Sequence, residues 1–248
     1  MDVTAVFPRI RSVGLDGIVV QFSNVLDDAA NMAAIAFHHR IAQAGWPEIS
    51  ESCSTLVSAF FRIDLVEHDY NELVTRLTEQ LETQDWFLVP LPAGRRLWRI
   101  PAVFGTERAP QLEEAAEAAG LSADEAKTQL AAAQLRVLTL GFAPGQPYLG
   151  MLGEAWDIPR QSQLTPRVPK GALVAAVRQV CLFSNETPTG WRHVGQCAFR
   201  CFRPGETNPF PLKPGDEITF QEITPGELSR IEESDKTGDG GAEWSLLQ

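Results

Sequence analysis

Residues 141–150 read Gly-Phe-Ala-Pro-Gly-Gln-Pro-Tyr-Leu-Gly and directly follow an apolar run over 135–140. Glycine permits positive φ or close backbone approach, and proline fixes φ and removes a donor, so this segment is neither a helix nor a central strand. A stiff loop that leaves the end of a strand is a natural place to hold a small ligand. The binding residues predicted in this loop are Gly141, Pro144, Gly145, Pro147, Tyr148 and Gly150.

Two arginines and a second rigid turn follow this loop. Arg160 and Arg167 each stand beside a proline, and a guanidinium can hold a carboxylate through two parallel hydrogen bonds. The turn at 187–191, Thr-Pro-Thr-Gly-Trp, ends in an aromatic side chain. We therefore predict that a small acidic ligand binds at Arg160, Arg167, Thr187, Gly190 and Trp191. An alternative for the arginines is that both are solvated turn residues. For Trp191 two positions stay open: the ring lines a pocket, or it fills the interior of a β-barrel.

The sequence contains no recognisable complete set of catalytic residues. The sequence contains no Gly-x-Ser-x-Gly, P-loop, dinucleotide fingerprint or metal motif. Glu186 is a possible base in a cleft, although an exposed turn carboxylate is commoner, and a single histidine such as His193 is weak evidence for catalysis. The catalytic residues therefore stay unassigned, no metal site is predicted, and we expect a partial site that another subunit completes.

Composition limits the partners of this 248-residue chain. Its net charge of −11 and the lack of a basic stripe disfavour nucleic acid, because phosphate binding rests on Lys and Arg. The four cysteines have no Cys-x-x-Cys spacing and are expected to be buried free thiols. The first ten residues lack the features of a secretion signal, and the apolar runs are too short to span a membrane. We expect a cytoplasmic protein with no membrane contact.

The N-terminal part alternates strand and helix patterns. Residues 17–22 and 55–61 are predicted strands, and 29–43 and 69–83 are predicted helices with acidic caps and apolar periodicity. A unit of this kind fits a small two-layer sandwich. We therefore predict an α+β N-terminal two-layer sandwich domain over residues 1–92.

A breaker-rich linker at 89–94 precedes a mainly-β region. Two short helices are predicted at 111–119 and 122–132, the second opened by a capping box at Ser122. Strands are predicted at 135–140, 172–177, 180–183, 198–202 and 217–220, separated by Pro and Gly clusters, which favours a β-barrel domain over 95–225. The polar, glycine-rich tail at 229–248 is predicted to be disordered, with docking of residues 244–247 on a surface as the alternative.

Several motifs occur in the order that is found in a known protein family. They are the loop at 141–150, Ile158–Arg160, Thr165–Gly171, Thr187–Trp191, Val194-Gly195 and Leu212–Asp216, with weaker matches upstream. Together these motifs, over roughly residues 8–222, resemble the family of 5-oxoprolinase B subunits (PxpB), also called the allophanate hydrolase subunit 1 or KipI family.

The resemblance implies a cyclophilin-like barrel and a subunit role. It implies a 5-oxoprolinase-type, ATP-dependent amidohydrolase that converts 5-oxoproline to glutamate, with ATP in the complex and not necessarily on this chain. The implied partners are a sister barrel protein, of the 5-oxoprolinase C-subunit or allophanate hydrolase subunit 2 type, and a larger third subunit. The alternatives are a non-catalytic, kinase-inhibitor-like regulatory module and a member of a urea or allophanate carboxyltransferase-hydrolase system, because fold does not fix function.

The chain departs from the family pattern at several polar positions. Leu130 stands where the family usually has His, Leu135 where it has Tyr, and Gln146 where it has an aromatic residue. Phe183 replaces a Tyr, and Gln196 replaces an Arg. These changes remove an imidazole, hydroxyl groups and a guanidinium, so we expect a retained fold with an altered or weakened site.

Overall fold

The computed structural model describes residues 6–247. They divide into two compact units, with the boundary between Ala93 and Gly94. Residues 1–5, which open the segment considered for a secretion signal, and Gln248 lie outside the described residues. Each unit has its own core of buried apolar side chains.

The first unit is an antiparallel sheet covered by two helices. Its elements are β1 (Arg9–Val13), β2 (Gly17–Gln21), α1 (Asp28–Ala44), β3 (Ile49–Ser54), β4 (Ser58–Ile63) and α2 (Tyr70–Glu82), with strand order β1-β2-β4-β3. Helix α1 begins where the Asp27 side chain accepts a hydrogen bond from the Ala30 amide, and it ends at Gly45, which has φ +60°. The Phe37 ring of α1 packs edge-on against Phe61 of β4, and Leu77 of α2 belongs to the same buried core, which lies between the two layers.

The second unit is built on a closed barrel of seven strands. Its strands are β5 (Arg96–Phe104), β6 (Gln134–Leu140), β7 (Pro147–Gly150), β9 (Ala172–Ala176), β10 (Gln179–Leu182), β12 (Arg192–Cys197) and β13 (Glu217–Glu222). The order β12-β9-β10-β7-β6-β13-β5 closes through pairing of β5 with β12, and the β5–β13 pair alone among these is parallel. Helices α3 (Leu112–Ala118) and α4 (Ala123–Ala132) lie between β5 and β6 in the chain.

Strand alternation sorts the barrel side chains into an inner and an outer set. Every barrel strand contributes residues to one large cluster, which is the barrel interior and includes Leu149, Leu173 and Val180. Their neighbours Tyr148, Val174 and Cys181 belong to a second cluster on the outer face. A two-stranded ribbon of β8 (Thr165–Val168) and β11 (Thr187–Thr189) contributes to this outer layer through Val168 and the adjoining Trp191.

The C-terminal tail differs from the sequence prediction. The segment expected to be disordered contains most of helix α5 (Pro225–Ser234) and strand β14 (Glu243–Leu246). Thr224 and Glu227 form a capping box that starts the helix, and β14 pairs antiparallel with the first half of β5. The Trp244 ring lies 6.2 Å from that of Trp98, so a buried aromatic and an open strand edge order this tail despite its polar composition.

Three further expectations need correction. The segment 141–150, in which no central strand was expected, ends in β7, which pairs with both β6 and β10 because Pro147 stands at the first position of the strand. Residues 198–202 form no strand, although Phe199 and Cys201 point into the barrel interior as the alternation suggested; the strand in this region is β12, at 192–197. All four cysteines are free, but Cys53 on β3 is exposed rather than buried.

The predicted fold class, an α+β two-layer sandwich followed by a mainly-β barrel, is confirmed. Over residues 6–247, no helix is long and apolar enough to cross a membrane.

Candidate functional site

A cavity of about 290 Å³ lies against the outer face of the barrel. Its lining comes from the β6–β7 loop, strands β7 and β10, the segment 160–164 and the turn at 187–191. The lining residues are Phe142, Gln146, Tyr148, Arg160, Gln161, Leu164, Cys181, Phe183, Thr187, Pro188, Thr189, Gly190 and Trp191. The volume is at the small end for ligand sites, which suits a small metabolite.

The structure brings five of the predicted site residues together in this cavity. Tyr148, Arg160, Thr187, Gly190 and Trp191 all line it. Trp191 belongs to the outer cluster, so it walls the cavity and does not plug the barrel. Its ring packs edge-on against that of Tyr148, with 6.1 Å between centroids.

The glycines and prolines of the 141–150 loop shape the site without lining it. Gly145 has φ +70°, and a Cβ there would stand 2.1 Å from the Cys201 carbonyl oxygen, so only glycine fits. The Gly141 amide donates to the Gln146 carbonyl and the Gln146 amide donates to the Ala143 carbonyl. Because these two amides are used inside the loop, they are not free for an anion. Pro144, Pro147 and Gly150 likewise lie outside the lining.

The two predicted arginines have different surroundings. The Arg160 guanidinium carbon lies 5.5 Å from the centre of the Trp191 ring, and no carboxylate pairs with it among residues 6–247. Arg167 lies outside the lining, 80% exposed, and donates to Glu186 Oε1 from both Nε (3.0 Å) and Nη2 (2.7 Å). Arg160 is therefore the single charged side chain in the lining, and the possible base Glu186 is held by an ion pair outside it.

Hydrogen bonds fix the wall that carries Arg160. The Gln161 amide donates to the Gly190 carbonyl at 2.6 Å, and Gln161 Nε2 donates to the Trp191 carbonyl at 3.1 Å. Gln111, just before α3, donates from Nε2 to Gln161 Oε1 at 2.9 Å. The segment 160–164 and the turn at 187–191 are thus tied to each other and to the start of α3.

The floor of the cavity is polar but neutral. Gln146 is only 1% exposed, and its Oε1 accepts a hydrogen bond from the Ser184 amide at 3.4 Å. Burial raises the pKa of the Cys181 thiol far above its usual range. Burial also raises the pKa of Tyr148, and the nearby Cys181 adds to the rise, while the neighbouring Gln146 side chain and the charge of Arg160 oppose it.

His193 does not join the site. It is buried on β12 outside the lining, and burial lowers its pKa, so the ring is neutral. Among the residues that the structure describes, no group of three or more His, Cys, Asp or Glu side chains could hold a metal ion.

The positions at which the sequence analysis expects a departure from the family pattern are buried or line the cavity. Leu130 of α4 and Leu135 of β6 are buried in the large apolar cluster of the second unit. Gln196 is buried and donates from Nε2 to the Lys170 and Cys197 carbonyls. Gln146 and Phe183 line the cavity.

Sequence reasoning missed several lining residues. Phe142 and Gln146 stand inside the loop already singled out, and Gln161 follows Arg160 directly. Cys181 lies on β10 and Phe183 directly follows that strand, so the predicted strand at 180–183 carried the signal that both side chains share one face.

The chain combines an α+β sandwich unit with a closed seven-stranded barrel that carries an outer-face cavity. Residues 8–212 match the family model described as carboxyltransferase domain, subdomain C and D, and the chain belongs to that family. It is 27% identical over 233 residues to the B subunit of 5-oxoprolinase from Bacillus subtilis, covering 87% of this chain and 93% of the relative. The resemblance to the family of 5-oxoprolinase B subunits is thereby confirmed.

Two solved structures share the fold. The crystal structure of the protein TTHA0988 is 26% identical with a TM-score of 0.71; it covers 87% of this chain, which spans only 40% of the TTHA0988 chain. The urea carboxylase of Kluyveromyces lactis has a TM-score of 0.75 at 18% identity, covering 96% of this chain and 24% of that one, so this likeness concerns the fold alone.

Proposed function

We propose that this chain is a subunit of a 5-oxoprolinase-type, ATP-dependent amidohydrolase and that its outer-face cavity binds the small acidic substrate, 5-oxoproline. The similarity to the Bacillus subtilis relative extends over nearly the whole of both chains, which supports a shared role. The observation that carries the proposal is the cavity itself, with one cation, Arg160, that has no carboxylate partner among the described residues.

The proposed ligand geometry follows from the distribution of charge. A carboxylate binds at the mouth to the Arg160 guanidinium, which lies over the Trp191 ring. Thr187 and the neighbouring Gly190 form the adjoining wall, and Tyr148 reaches the ligand from the floor. Gly141, Pro144, Gly145, Pro147 and Gly150 contribute by holding the loop in shape.

The chain needs a partner to complete catalysis. The lining contains no histidine and no carboxylate, and burial keeps its thiol protonated, so it offers neither a general base nor an activated nucleophile. A sister barrel subunit and a larger third subunit are proposed to supply these groups and the ATP site. ATP is therefore a cofactor of the complex in this proposal.

Co-expression with the sister and third subunits of the same source tests the proposal. We expect a complex that co-purifies and hydrolyses ATP only when 5-oxoproline is added, with loss of activity when this chain is omitted. A strictly monomeric chain in the presence of its co-expressed partners, measured by size exclusion with light scattering, would contradict the partner proposal. A complex that binds 5-oxoproline without ATP hydrolysis would favour a regulatory module, and activity on urea or allophanate instead would favour the carboxyltransferase-hydrolase alternative.

A further inference from the structure

A second cavity, of about 420 Å³, lies within the first unit. Its lining comes from the second half of α1, the C-terminal end of α2 and the segment 86–92 that follows α2. It shares no residue with the outer-face cavity of the barrel. The volume is within the range of ligand sites, so the groups that line it decide what it can hold.

Helix α1 turns one face toward this cavity. The lining residues of α1 are Ala36, His39, Arg40 and Gln43, whose spacings of three, one and three place them along one side of a helix. Within residues 6–247, no hydrogen bond or ion pair holds the side chains of His39, Arg40 or Gln43. The Arg40 guanidinium is therefore a cation at the cavity with its donors available.

The charge of the lining is opposite to that of the whole chain. The chain has a net charge of −11, yet the lining contains an arginine and no carboxylate. Helix α2 and the turn after it carry Glu79, Glu82 and Asp85, but none of the three lines the cavity, and the Asp85 side chain accepts a hydrogen bond from the Phe87 amide at 3.0 Å. The lining thus favours a group with negative charge.

The wall opposite α1 is an extended segment, 89–92, with free carbonyl groups. Val89 has φ −77° and ψ 128°, and the two prolines of the segment keep the residues before them extended and lack N–H groups of their own. The Val89 amide donates to the Trp86 carbonyl at 3.3 Å, and Trp86 Nε1 donates to the Gln80 carbonyl at 3.1 Å, which holds the wall on α2. None of the four carbonyls of 89–92 accepts a hydrogen bond from residues 6–247. This wall is complementary to a ligand with several N–H groups.

Three glutamine side chains complete the lining. Gln43 and Gln84 are exposed and Gln80 is half-buried. A primary amide offers both a donor and an acceptor, as a peptide group does. Amides on α1 and α2 that face a row of free carbonyls match the repeated N–H and C=O groups of an extended chain.

We propose that this cavity is a docking site for an extended, acidic segment of a partner protein. Arg40 pairs with a carboxylate side chain of the segment, whose N–H groups donate to the carbonyls of 89–92, and the glutamine amides bind its other peptide groups. The inference goes beyond the proposed function and does not depend on the ligand of the outer-face cavity.

Fluorescence anisotropy of labelled peptides with the full chain tests the inference. One probe is a hexapeptide of alternating Ala and Glu, capped at both ends, and the second has Gln in place of every Glu. We expect the Glu peptide to bind about fivefold more tightly, because Arg40 is exposed and its ion pair is screened by solvent. The amide of N-acetylglutamate, which has the carboxylate but ends after one residue, should compete about tenfold less well than the unlabelled Glu peptide.

Three variants separate the contributions of charge and of peptide groups. Arg40→Ala should make the two hexapeptides bind equally and leave the affinity for the Gln peptide unchanged, which also shows that the variant is folded. Arg11→Ala is the matched control, because Arg11 is an exposed arginine of β1 outside the lining with no carboxylate partner among residues 6–247. It should preserve the preference for the Glu peptide. Gln84→Ala should weaken both hexapeptides by the same factor.

The outcomes that contradict the inference leave the proposed function untouched. If the unaltered chain binds neither hexapeptide, or binds both equally, the docking site is refuted. If Arg40→Ala and Arg11→Ala reduce the preference for the Glu peptide equally, general charge attraction rather than the cavity causes it, and the inference is again overturned. If the amide of N-acetylglutamate competes as well as the Glu peptide, the cavity is a site for small anions and not for a partner protein.

Discussion

At the scale of single residues, Arg160 and Arg167 are a matched pair with the same charge and different surroundings. Arg160 stands at the cavity mouth without a carboxylate partner among the described residues, whereas Arg167 is paired with Glu186 outside the lining. Arg160→Ala should weaken 5-oxoproline binding by about 1 kcal/mol, or about fivefold, since the guanidinium is exposed and its charge is screened by solvent. Isothermal titration of the full chain measures this effect.

Arg167→Ala is the control, because it removes an equal charge from the same face. It should change the affinity by less than about twofold, and added salt should weaken binding to the unaltered chain more than to the Arg160→Ala variant. Equal losses in both variants would mean that general charge attraction, rather than contact with Arg160, holds the ligand.

Gly145 and Gly141 offer a second matched pair, in one loop. A Cβ on Gly145 would meet the Cys201 carbonyl, and the residue has positive φ, whereas a Cβ on Gly141 meets nothing within 4 Å. Gly145→Ala should lower the free energy of unfolding by about 2 kcal/mol or more. Gly141→Ala should stay within about 0.5 kcal/mol of the unaltered chain.

Urea denaturation followed by circular dichroism compares the two glycine variants. If Gly145→Ala is as stable as Gly141→Ala, the close approach of the loop to Cys201 does not constrain the fold, and the rigidity assigned to the loop is wrong.

At the scale of elements, strand β14 holds the C-terminal segment on the barrel. Trp244 is 54% exposed, yet its ring contacts the buried Trp98 and lies 5.7 Å from the Arg96 guanidinium carbon. Trp244→Ala should therefore lower the stability of the second unit by about 1 kcal/mol, the typical value of an aromatic pair. Leu246→Ala, on the same strand but 65% exposed, should cost less than about 0.5 kcal/mol. Equal effects in thermal unfolding would contradict the Trp98 contact.

Sequence patterns predicted the helices that are determined by residues close to them in the chain. Helices α1, α2 and α4 follow from their caps at Asp27, Asp69 and Ser122. Strands β3, β7, β8, β11 and β12 were not predicted, nor were β1 and β14, which contain polar residues and are defined by pairing with β2 and β5. Residues 198–202 show the opposite case: Phe199 and Cys201 alternate inward as in a strand, but no neighbouring strand supplies a ladder.

The same distinction between local and long-range causes explains which parts of the site could be predicted. Glycines and prolines identified the rigid segment at 141–150 and the turn at 187–191 from the sequence. The Tyr148 and Trp191 side chains of these segments meet in the cavity. Whether an arginine has a carboxylate partner depends on residues far along the chain, such as Glu186 for Arg167 at a separation of 19. The neutral floor likewise required the register of β7 with β10, which places Tyr148 opposite Cys181.

At the scale of the whole molecule, the boundary between the two compact units falls between Ala93 and Gly94, inside the breaker-rich linker. Each unit has its own buried core, so we predict that residues 1–93 and 94–248 fold separately. Each fragment should show circular dichroism of the expected type and a cooperative thermal transition.

A third fragment, 94–228, is the informative control for this prediction. It retains the seven barrel strands but lacks β14 and most of α5, so it leaves the first half of β5 as an open edge and uncovers Trp98. We expect it to unfold at a lower temperature than 94–248 and to aggregate more readily. If 94–228 is as stable as 94–248, the tail is dispensable, whereas if 94–248 itself is unfolded, the barrel unit depends on residues 1–93 and the separate folding of the units is refuted.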